Sequence, residues 1–347
     1  MIKFLQNLYY YPAPVSGTIV KNYTPPVAST TVKNYPALNS VKAILIVLII
    51  ITHSLPESMT LYFLYMFHMP VFLGISGFLL KESAFKNGIG TYVRRLQKRL
   101  IIPWIIAFAV YLPFQLSKLT SSNPLDVLLY PFYHLWYIPA YILGSIACYA
   151  IYKWKIPVLA MLFLTAIITI TWYIYFRDIH DSEGQQPLYW LGDKRLYCYT
   201  FFYVLGYVLR NNLIQFRMIA ATTVTVLILS FLLITLCVFQ RTPDYFTVLP
   251  YLFFNASLII FLVFYVAEKS FFQHRFWLYI NSNSLGIYFY HPLILMLIFR
   301  GIGDPLKEHV STIDGIVIGL FTLGLCFPVT WLLNKWKLSG RFMLGNV

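Results

Sequence analysis

Ten apolar runs separated by short polar segments constrain the fold of this chain more than any other feature. Most of the runs approach the roughly 20 residues that a helix needs to cross the hydrocarbon core of a bilayer. Inside lipid, every backbone N–H and C=O group must be paired within the protein, so runs of this length favour helices. The predicted spans are residues 41–55, 61–80, 100–116, 134–152, 157–176, 196–209, 219–239, 248–267, 284–299 and 315–334.

The composition excludes an ordinary soluble protein. Hydrophobic residues make up 59% of the 347 positions and charged residues only 11%, and the mean hydropathy is +0.69. A soluble domain of this length carries more charge on its surface. We therefore expect an all-α fold, a polytopic transmembrane bundle of about ten helices.

The basic residues are distributed in a way that predicts the topology. The chain has 26 Lys and Arg against 12 Asp and Glu. With the amino terminus inside the cell, the cytoplasmic segments hold 18 of the basic residues and 2 of the acidic ones. Cytoplasmic loops of membrane proteins are enriched in Lys and Arg, so both termini are predicted to be cytoplasmic. Because the charge is spread over short loops, no nucleic acid is expected as a partner.

Outside the predicted bundle, residues 1–39 are rich in Tyr, Pro, Thr and Asn and contain a short repeat, Val20–Tyr23 and Val32–Tyr35. Prolines 25, 26 and 36 argue against a long helix. We expect a poorly ordered cytoplasmic N-terminal arm at 1–39, a membrane domain at 40–335 and a short cytoplasmic tail at 336–347. No cleavable signal peptide is apparent, so the first span is expected to direct insertion.

All four cysteines lie within apolar runs: Cys148, Cys198, Cys237 and Cys326. None has the spacing of a metal ligand, so they are interpreted as small buried residues, and no metal is expected. A disulfide between Cys198 and Cys237 is the alternative for that pair.

A cation and a histidine share one face of the first predicted span. The eleven steps from Lys42 to His53 rotate by roughly 1100°, within about 20° of three turns, and separate the side chains by about 16 Å along the axis. Ionisable groups at membrane depth are costly and usually functional. Imidazole titrates near working pH, so His53 is the candidate base. The alternatives are a histidine bonded into the bundle and a lysine that snorkels to the interface.

Further candidates lie in the following spans and loops. His68, in the second span, is expected about 10 Å below the outer surface, a depth at which it could meet His53, and Ser76 lies deeper. The four basic residues Arg94, Arg95, Lys98 and Arg99 suit the phosphates of a nucleotide-bearing donor. Anchoring at the inner surface explains the same four residues nearly as well.

Two later histidines stand beside aromatic residues or proline: His134 with Trp136, and His291 with Tyr288 and Pro292. A histidine before a proline within a span is notable because proline breaks the helix locally. Structural roles for His134 and His291 are the alternative. The outer segment 177–195 interleaves polar and aromatic side chains, which suits carbohydrate or a plain solvated connector.

These motifs together resemble the acyltransferase-three family of integral membrane acyltransferases, and most closely its fucose 4-O-acetylase group. In family order, the matching segments are Leu38–Ile46 leading to His53-Ser54, Phe67–Phe72 with Ile75–Phe78, the basic stretch Arg94–Trp104, His134-Leu135-Trp136, and Tyr288 with His291-Pro292. The family commonly has arginine where this chain has Lys42, a change that keeps the charge and loses bidentate geometry.

The resemblance implies ten membrane helices around the active site, a cytoplasmic acyl-CoA donor and an acceptor hydroxyl on a sugar of a surface or exported glycan. We therefore expect a multi-pass O-acetyltransferase of the bacterial inner membrane, with acetyl-CoA as donor and with membrane lipid and a polysaccharide or lipid-linked glycan as partners. His53, Lys42 and His68 are the expected catalytic residues. The expected substrate-binding residues are Ser76, His134, Trp136, Tyr288 and His291, and the expected donor-binding residues are Arg94, Arg95, Lys98 and Arg99.

Two alternative functions remain open at this stage. Intramembrane histidine and lysine also mark proton-coupled pathways, so a transporter or flippase for a glycan or its lipid carrier is one alternative. An acyltransferase that acts on an acceptor other than a sugar is the other.

Overall fold

The computed structural model describes residues 35–115, 129–131, 134–176, 189–211, 213–267, 269, 274–302 and 310–345, and every regular element in these ranges is helical. A π-helical turn, Gln97–Ile101, joins the helix that ends at Leu96 to the helix that begins at Ile102, and a second, Leu262–Val266, extends the helix that ends at Phe261. The α-helices are α1 Pro36–Ser54, α2 Met59–Leu79, α3 Gly88–Leu96, α4 Ile102–Tyr111, α5 Tyr137–Trp154, α6 Val158–Phe176, α7 Arg195–Cys198, α8 Thr200–Asn211, α9 Leu213–Phe239, α10 Asp244–Phe261, α11 Arg275–Ser282, α12 Ser284–Ile302, α13 Thr312–Lys335 and α14 Lys337–Leu344.

Seven helical segments in the described part of the chain are long and apolar enough to cross a membrane, which confirms the prediction of a multi-pass helical protein. They are Pro36–Ser54, Met59–Leu79, Gly88–Phe114, Val158–Tyr175, Ala221–Phe239, Tyr245–Val266 and Thr312–Lys335. The pair α11 and α12, bent by 73°, is an eighth if counted as one span. Helices also occupy the two other predicted spans, as α5 and α8. The count of ten spans and the cytoplasmic termini stay predictions.

The first helix begins earlier than the sequence indicated. Proline has no backbone N–H to lose in the first turn, so Pro36 starts α1 rather than ending an extended arm. Tyr35 is buried and packs its ring edge against Phe78 with centroids 5.1 Å apart. The Arg210 guanidinium lies 4.6 Å from the Tyr35 ring centroid. The bundle therefore starts at residue 35, and the remainder of the predicted arm lies outside the described residues.

The centre of the bundle depends on close contact between the backbones of α2 and α8. A Cβ atom at Gly77 would overlap the Tyr203 carbonyl, and one at Gly206 would overlap the Gly74 carbonyl. Small residues at such crossings let membrane helices approach closely. Residues 200–209 of α8 are buried throughout, among α2, α5, α6 and α10. This short helix is therefore enclosed by protein.

A buried asparagine satisfies the carbonyl that a proline leaves unpaired in α2. Pro70 has no N–H to donate to the Met66 carbonyl one turn earlier. The Asn255 side chain, buried in α10, donates to that oxygen at 3.1 Å. The same proline chemistry recurs in α12, where Pro292 cannot donate to the Tyr288 carbonyl. This second break lies at the candidate site.

Candidate active site

Three histidines that are distant in sequence meet at one place in the bundle. His53 lies in the last turn of α1, His134 in the turn before α5, and His291 in α12. The ring centroids are 5.3 Å apart for His53 and His291, 4.9 Å for His134 and His291, and 6.2 Å for His53 and His134. We call these three residues the histidine cluster. His134 and His291 are buried, whereas His53 is half-buried.

The hydrogen bonds of the histidine cluster leave ring nitrogens available for chemistry. His291 Nδ1 donates to the Ile287 carbonyl at 2.9 Å, so in the neutral ring the lone pair is on Nε2. That Nε2 atom and both ring nitrogens of His134 make no hydrogen bond of ordinary geometry among the described residues. Buried polar atoms without a partner cost about 1–3 kcal/mol and are uncommon. Such atoms are suited to accepting or passing a proton.

Tyr288 connects the histidine cluster to the rest of the site. Its ring centroid lies 4.5 Å from that of His134, at an interplanar angle of 84°. Its hydroxyl donates to the backbone carbonyl of His134. The same turn of α12 is held from α4, where the Tyr111 hydroxyl donates to the Phe289 carbonyl at 2.7 Å. The position of His291 is therefore fixed by contacts on both sides of its turn.

A cavity of about 760 Å³ lies beside α1, towards the Lys42 end of that helix. Four cations line it, Lys42, Lys81, Arg95 and Arg99, and no acidic side chain is among the described lining residues. The Lys42 ammonium lies 5.0 Å from the Phe72 ring centroid and close enough to Arg99 for the two charges to repel. A cavity with this imbalance of charge is suited to an anion.

Two tyrosines of the cavity wall pack against each other, and one of them, Tyr288, also contacts the histidine cluster. Tyr137 and Tyr288 both line the cavity, and their ring centroids are 5.3 Å apart. Ser76 also lines the cavity, and its Oγ atom lies 3.3 Å from the Tyr137 hydroxyl oxygen. None of the three cluster histidines is among the residues described as lining the cavity. Tyr288 thus both lines the cavity and contacts His134.

The structure brings together most of the residues predicted from the sequence, in two groups. Lys42, Ser76, Arg95, Arg99 and Tyr288 line the cavity. His53, His134 and His291 form the histidine cluster. Lys42 and His53 share a face of α1 but belong to different groups, as their axial separation of about 16 Å requires.

Four predicted residues lie apart from both groups, and their roles stay predictions. Arg94 and Lys98 are exposed and do not line the cavity as described. His68 donates through Nδ1 to the Leu64 carbonyl at 2.6 Å, and its ring lies 5.1 Å from Tyr65. Trp136 stacks on Tyr199, with ring centroids 5.3 Å apart.

Two features near Trp136 and His134 were not predicted from the sequence. Asp193 is fully buried and accepts hydrogen bonds from Arg195 Nε at 2.9 Å, although both residues belong to the outer segment interpreted as carbohydrate-binding or as a solvated connector. The Arg195 guanidinium lies 5.2 Å from the Trp136 ring centroid. The one sequence feature that indicated this pair was the short spacing between the two opposite charges along the chain. Tyr137 was also missed as a cavity residue, although it follows directly on the His134–Trp136 motif.

No group of His, Cys, Asp or Glu side chains in the described ranges is arranged to hold a metal ion. Within those ranges, the chemical groups of the site are imidazoles, phenols, four serine hydroxyls, an asparagine amide and a set of cations. Imidazole supplies a base, and the cations supply a place for a charged donor. This combination fits the transfer of a group from an anionic carrier.

Comparison with known proteins agrees with this chemistry. A family model described as an acyltransferase domain matches residues 35–335. No curated protein and no solved structure matches the chain. The family match runs from the buried Tyr35 to the end of α13, and it includes the histidine cluster and most of the cavity wall. The chain therefore belongs to the acyltransferase-three family, and the protein is a membrane acyltransferase.

Proposed function

We propose that this acyltransferase is an O-acetyltransferase that moves acetyl from acetyl-CoA to a sugar hydroxyl of a polysaccharide or its lipid-linked precursor. One observation carries the proposal: Tyr288 lines a cavity that holds four cations, and its ring also contacts His134 of the histidine cluster. The motif resemblance to the fucose 4-O-acetylase group supports a sugar acceptor. The charge distribution supports a bacterial inner-membrane protein with the cavity open to the cytoplasm.

The cations of the cavity would hold the donor. Arg95 and Arg99 are exposed at the cavity wall, and guanidinium groups bind phosphate through paired hydrogen bonds. Lys42 is less exposed and lies beside Phe72. This position supports a role for Lys42 in donor binding rather than the catalytic role predicted from the sequence. The cavity volume is within the range of about 300–1,000 Å³ that is usual for small-molecule sites.

The histidine cluster would perform the proton chemistry. His53 Nε2 or Nδ1 takes the proton of the acceptor hydroxyl, and the hydroxyl oxygen attacks the thioester carbonyl carbon. The C–S bond then breaks, CoA leaves as its thiolate, and the imidazolium returns the proton to sulfur. The alternative route places the acetyl group on His53 first and then on the sugar. In both routes the buried rings of His134 and His291 pack against His53 and orient it.

Tyr288 would control access between the two parts of the site. The thioester enters from the cavity, and Tyr288 both lines the cavity and contacts His134. The ring must move for the thioester carbonyl to reach the histidine cluster. Pro292 removes one backbone hydrogen bond from the turn that carries Tyr288, which eases that motion. The closed position protects the thioester from hydrolysis.

Substitution of His53 tests the proposal. Purified wild-type protein is expected to transfer radiolabelled acetyl from acetyl-CoA to a candidate glycan, with the product identified by mass spectrometry. His53→Ala should lower the rate about 10²–10⁴-fold, the usual contribution of a general base. His274→Ala is the matched control, because His274 is exposed at the start of α11.

The outcomes distinguish the proposal from its alternatives. Full activity of His53→Ala would remove the mechanism. Wild-type protein that binds a glycan but never consumes acetyl-CoA would favour the transporter alternative. Two results together would point to an acceptor other than a sugar. The purified protein would consume acetyl-CoA without acetylating a glycan, and deletion of its gene would remove no acetyl mass from the glycans of the strain.

A further inference from the structure

The C-terminal segment, which we define as residues 337–345, forms part of the cavity wall. The sequence analysis treated it as a tail, and the family match ends before it at residue 335. After α13, Trp336 is extended with φ −102° and ψ 124°, and the chain then turns back as α14. This helix packs against α4, α12, α13 and the π-helical turn. Leu344 and Gly345 line the same cavity as Arg95 and Arg99.

Leu344 docks in a notch that a glycine creates in α12. Its side chain is only 8% exposed. A Cβ atom at Gly286 would lie 2.6 Å from Leu344 Cδ2 and 2.8 Å from Thr330 Cγ2. Those distances are shorter than van der Waals contact allows, so the docked position of Leu344 depends on the absence of a side chain at Gly286. Gly286 lies in the turn of α12 that leads to Tyr288.

Gly345 touches the backbone of a basic residue that lines the cavity. Its φ of +68° lies in the left-handed region that favours glycine. A Cβ atom at Gly345 would overlap the Arg99 carbonyl oxygen. The segment therefore ends in direct contact with the π-helical turn that carries Arg99. It also contributes two basic residues, Lys337 and Arg341, and no acidic residue.

We propose that the C-terminal segment is a positioning element of the donor site, which holds Arg99 and one wall of the cavity in place for the phosphate-bearing part of the acyl donor. This inference rests on the proposed acyl-CoA donor and on no assumption about the acceptor. Gly345 acts through Arg99 and does not itself react. The segment thereby extends the functional unit beyond the limit of the family match.

The test measures CoA binding to purified full-length protein and acetyl-CoA kinetics. Gly345→Ala is expected to raise the Kd for CoA and the KM for acetyl-CoA about tenfold while kcat and the acceptor KM stay within about twofold. Gly324→Ala is the matched control, because a Cβ there meets nothing within 4 Å. Leu344→Ala should give a smaller increase in KM and serves if Gly345→Ala fails to fold.

A double-mutant cycle tests the connection to Arg99. If Gly345 acts through Arg99, the Gly345→Ala change should add little to the KM of an Arg99→Ala protein, because the two effects are not independent. Full additivity, or wild-type CoA affinity in both Gly345→Ala and Leu344→Ala, would overturn the inference alone. Wild-type protein that does not bind CoA would overturn both this inference and the proposed donor.

Discussion

Removal of one hydroxyl group, in Tyr288→Phe, tests whether this ring separates the donor from the histidine cluster. The hydroxyl of Tyr288 donates to the His134 carbonyl and so favours the closed position of the ring. The phenylalanine ring keeps the packing and loses the hydroxyl that makes that hydrogen bond. The closed position should therefore become less populated, and the thioester should reach the histidines more often without an acceptor present.

The size of the effect follows from the second partner of the same carbonyl. The Tyr137 backbone N–H also donates to the His134 oxygen, at 3.1 Å. The carbonyl is therefore not left unpaired, and the cost of about 1–3 kcal/mol for an unsatisfied buried group does not apply. The relevant value is the net worth of one ordinary hydrogen bond, about 0.5–1.5 kcal/mol. This corresponds to roughly a 2- to 13-fold change in the equilibrium between closed and open positions.

The assay is the release of CoA thiol from acetyl-CoA in the absence of any acceptor. Tyr288→Phe should raise this hydrolysis by roughly 2- to 13-fold. Tyr290→Phe is the matched control: its hydroxyl is buried on the same helix and makes no hydrogen bond among the described residues, and its ring is not in the described cavity wall. Unchanged hydrolysis in Tyr288→Phe, or an equal rise in Tyr290→Phe, would refute the reasoning.

Two further predictions concern the donor site and the bundle. Arg95→Ala should raise the KM for acetyl-CoA at least fivefold more than Arg94→Ala does, because only Arg95 lines the cavity; equal effects in steady-state kinetics would contradict this assignment. Gly206→Ala should reduce the yield of folded protein, measured by size-exclusion chromatography. The added Cβ atom would overlap the Gly74 carbonyl, which is backbone and cannot rotate away. Overpacking of this kind costs about 1–3 kcal/mol or more. Gly324→Ala serves again as the control, and equal yields of the two variants would show that α2 and α8 tolerate separation.

The fold class was accessible from the sequence because hydropathy is a local property. Each apolar run predicts a helix without knowledge of its neighbours. The helical phase of α1 was accessible for the same reason. It places Lys42 and His53 on one face of the helix, three turns apart. Helical phase also distinguishes Arg95 and Arg99 from Arg94 and Lys98, since the two pairs lie about 100° apart. That signal was in the sequence and was not used.

The meeting of His53, His134 and His291 was not accessible in the same way. It depends on how α1, the turn before α5 and α12 pack, and no spacing rule connects segments so far apart in the chain. The docking of Leu344 against Gly286 has the same origin, because it pairs two small features that are unremarkable alone. The pairing of buried Asp193 with Arg195 was not predicted because charged residues in a loop normally face solvent.

Three departures from regular helix border the cavity, and their meeting there supports a binding site. The π-helical turn contributes Arg99 and Leu100, the break between α11 and α12 contributes Ser282 and Ser284, and the left-handed end of α14 contributes Gly345. In a membrane protein, non-helical backbone is tolerated where it is enclosed by protein or lines a polar cavity, because its polar groups need partners. π-Helical turns also occur frequently at functional sites. Three separate departures from regular helix at one cavity are therefore better explained by a shared ligand than by three unrelated defects in packing.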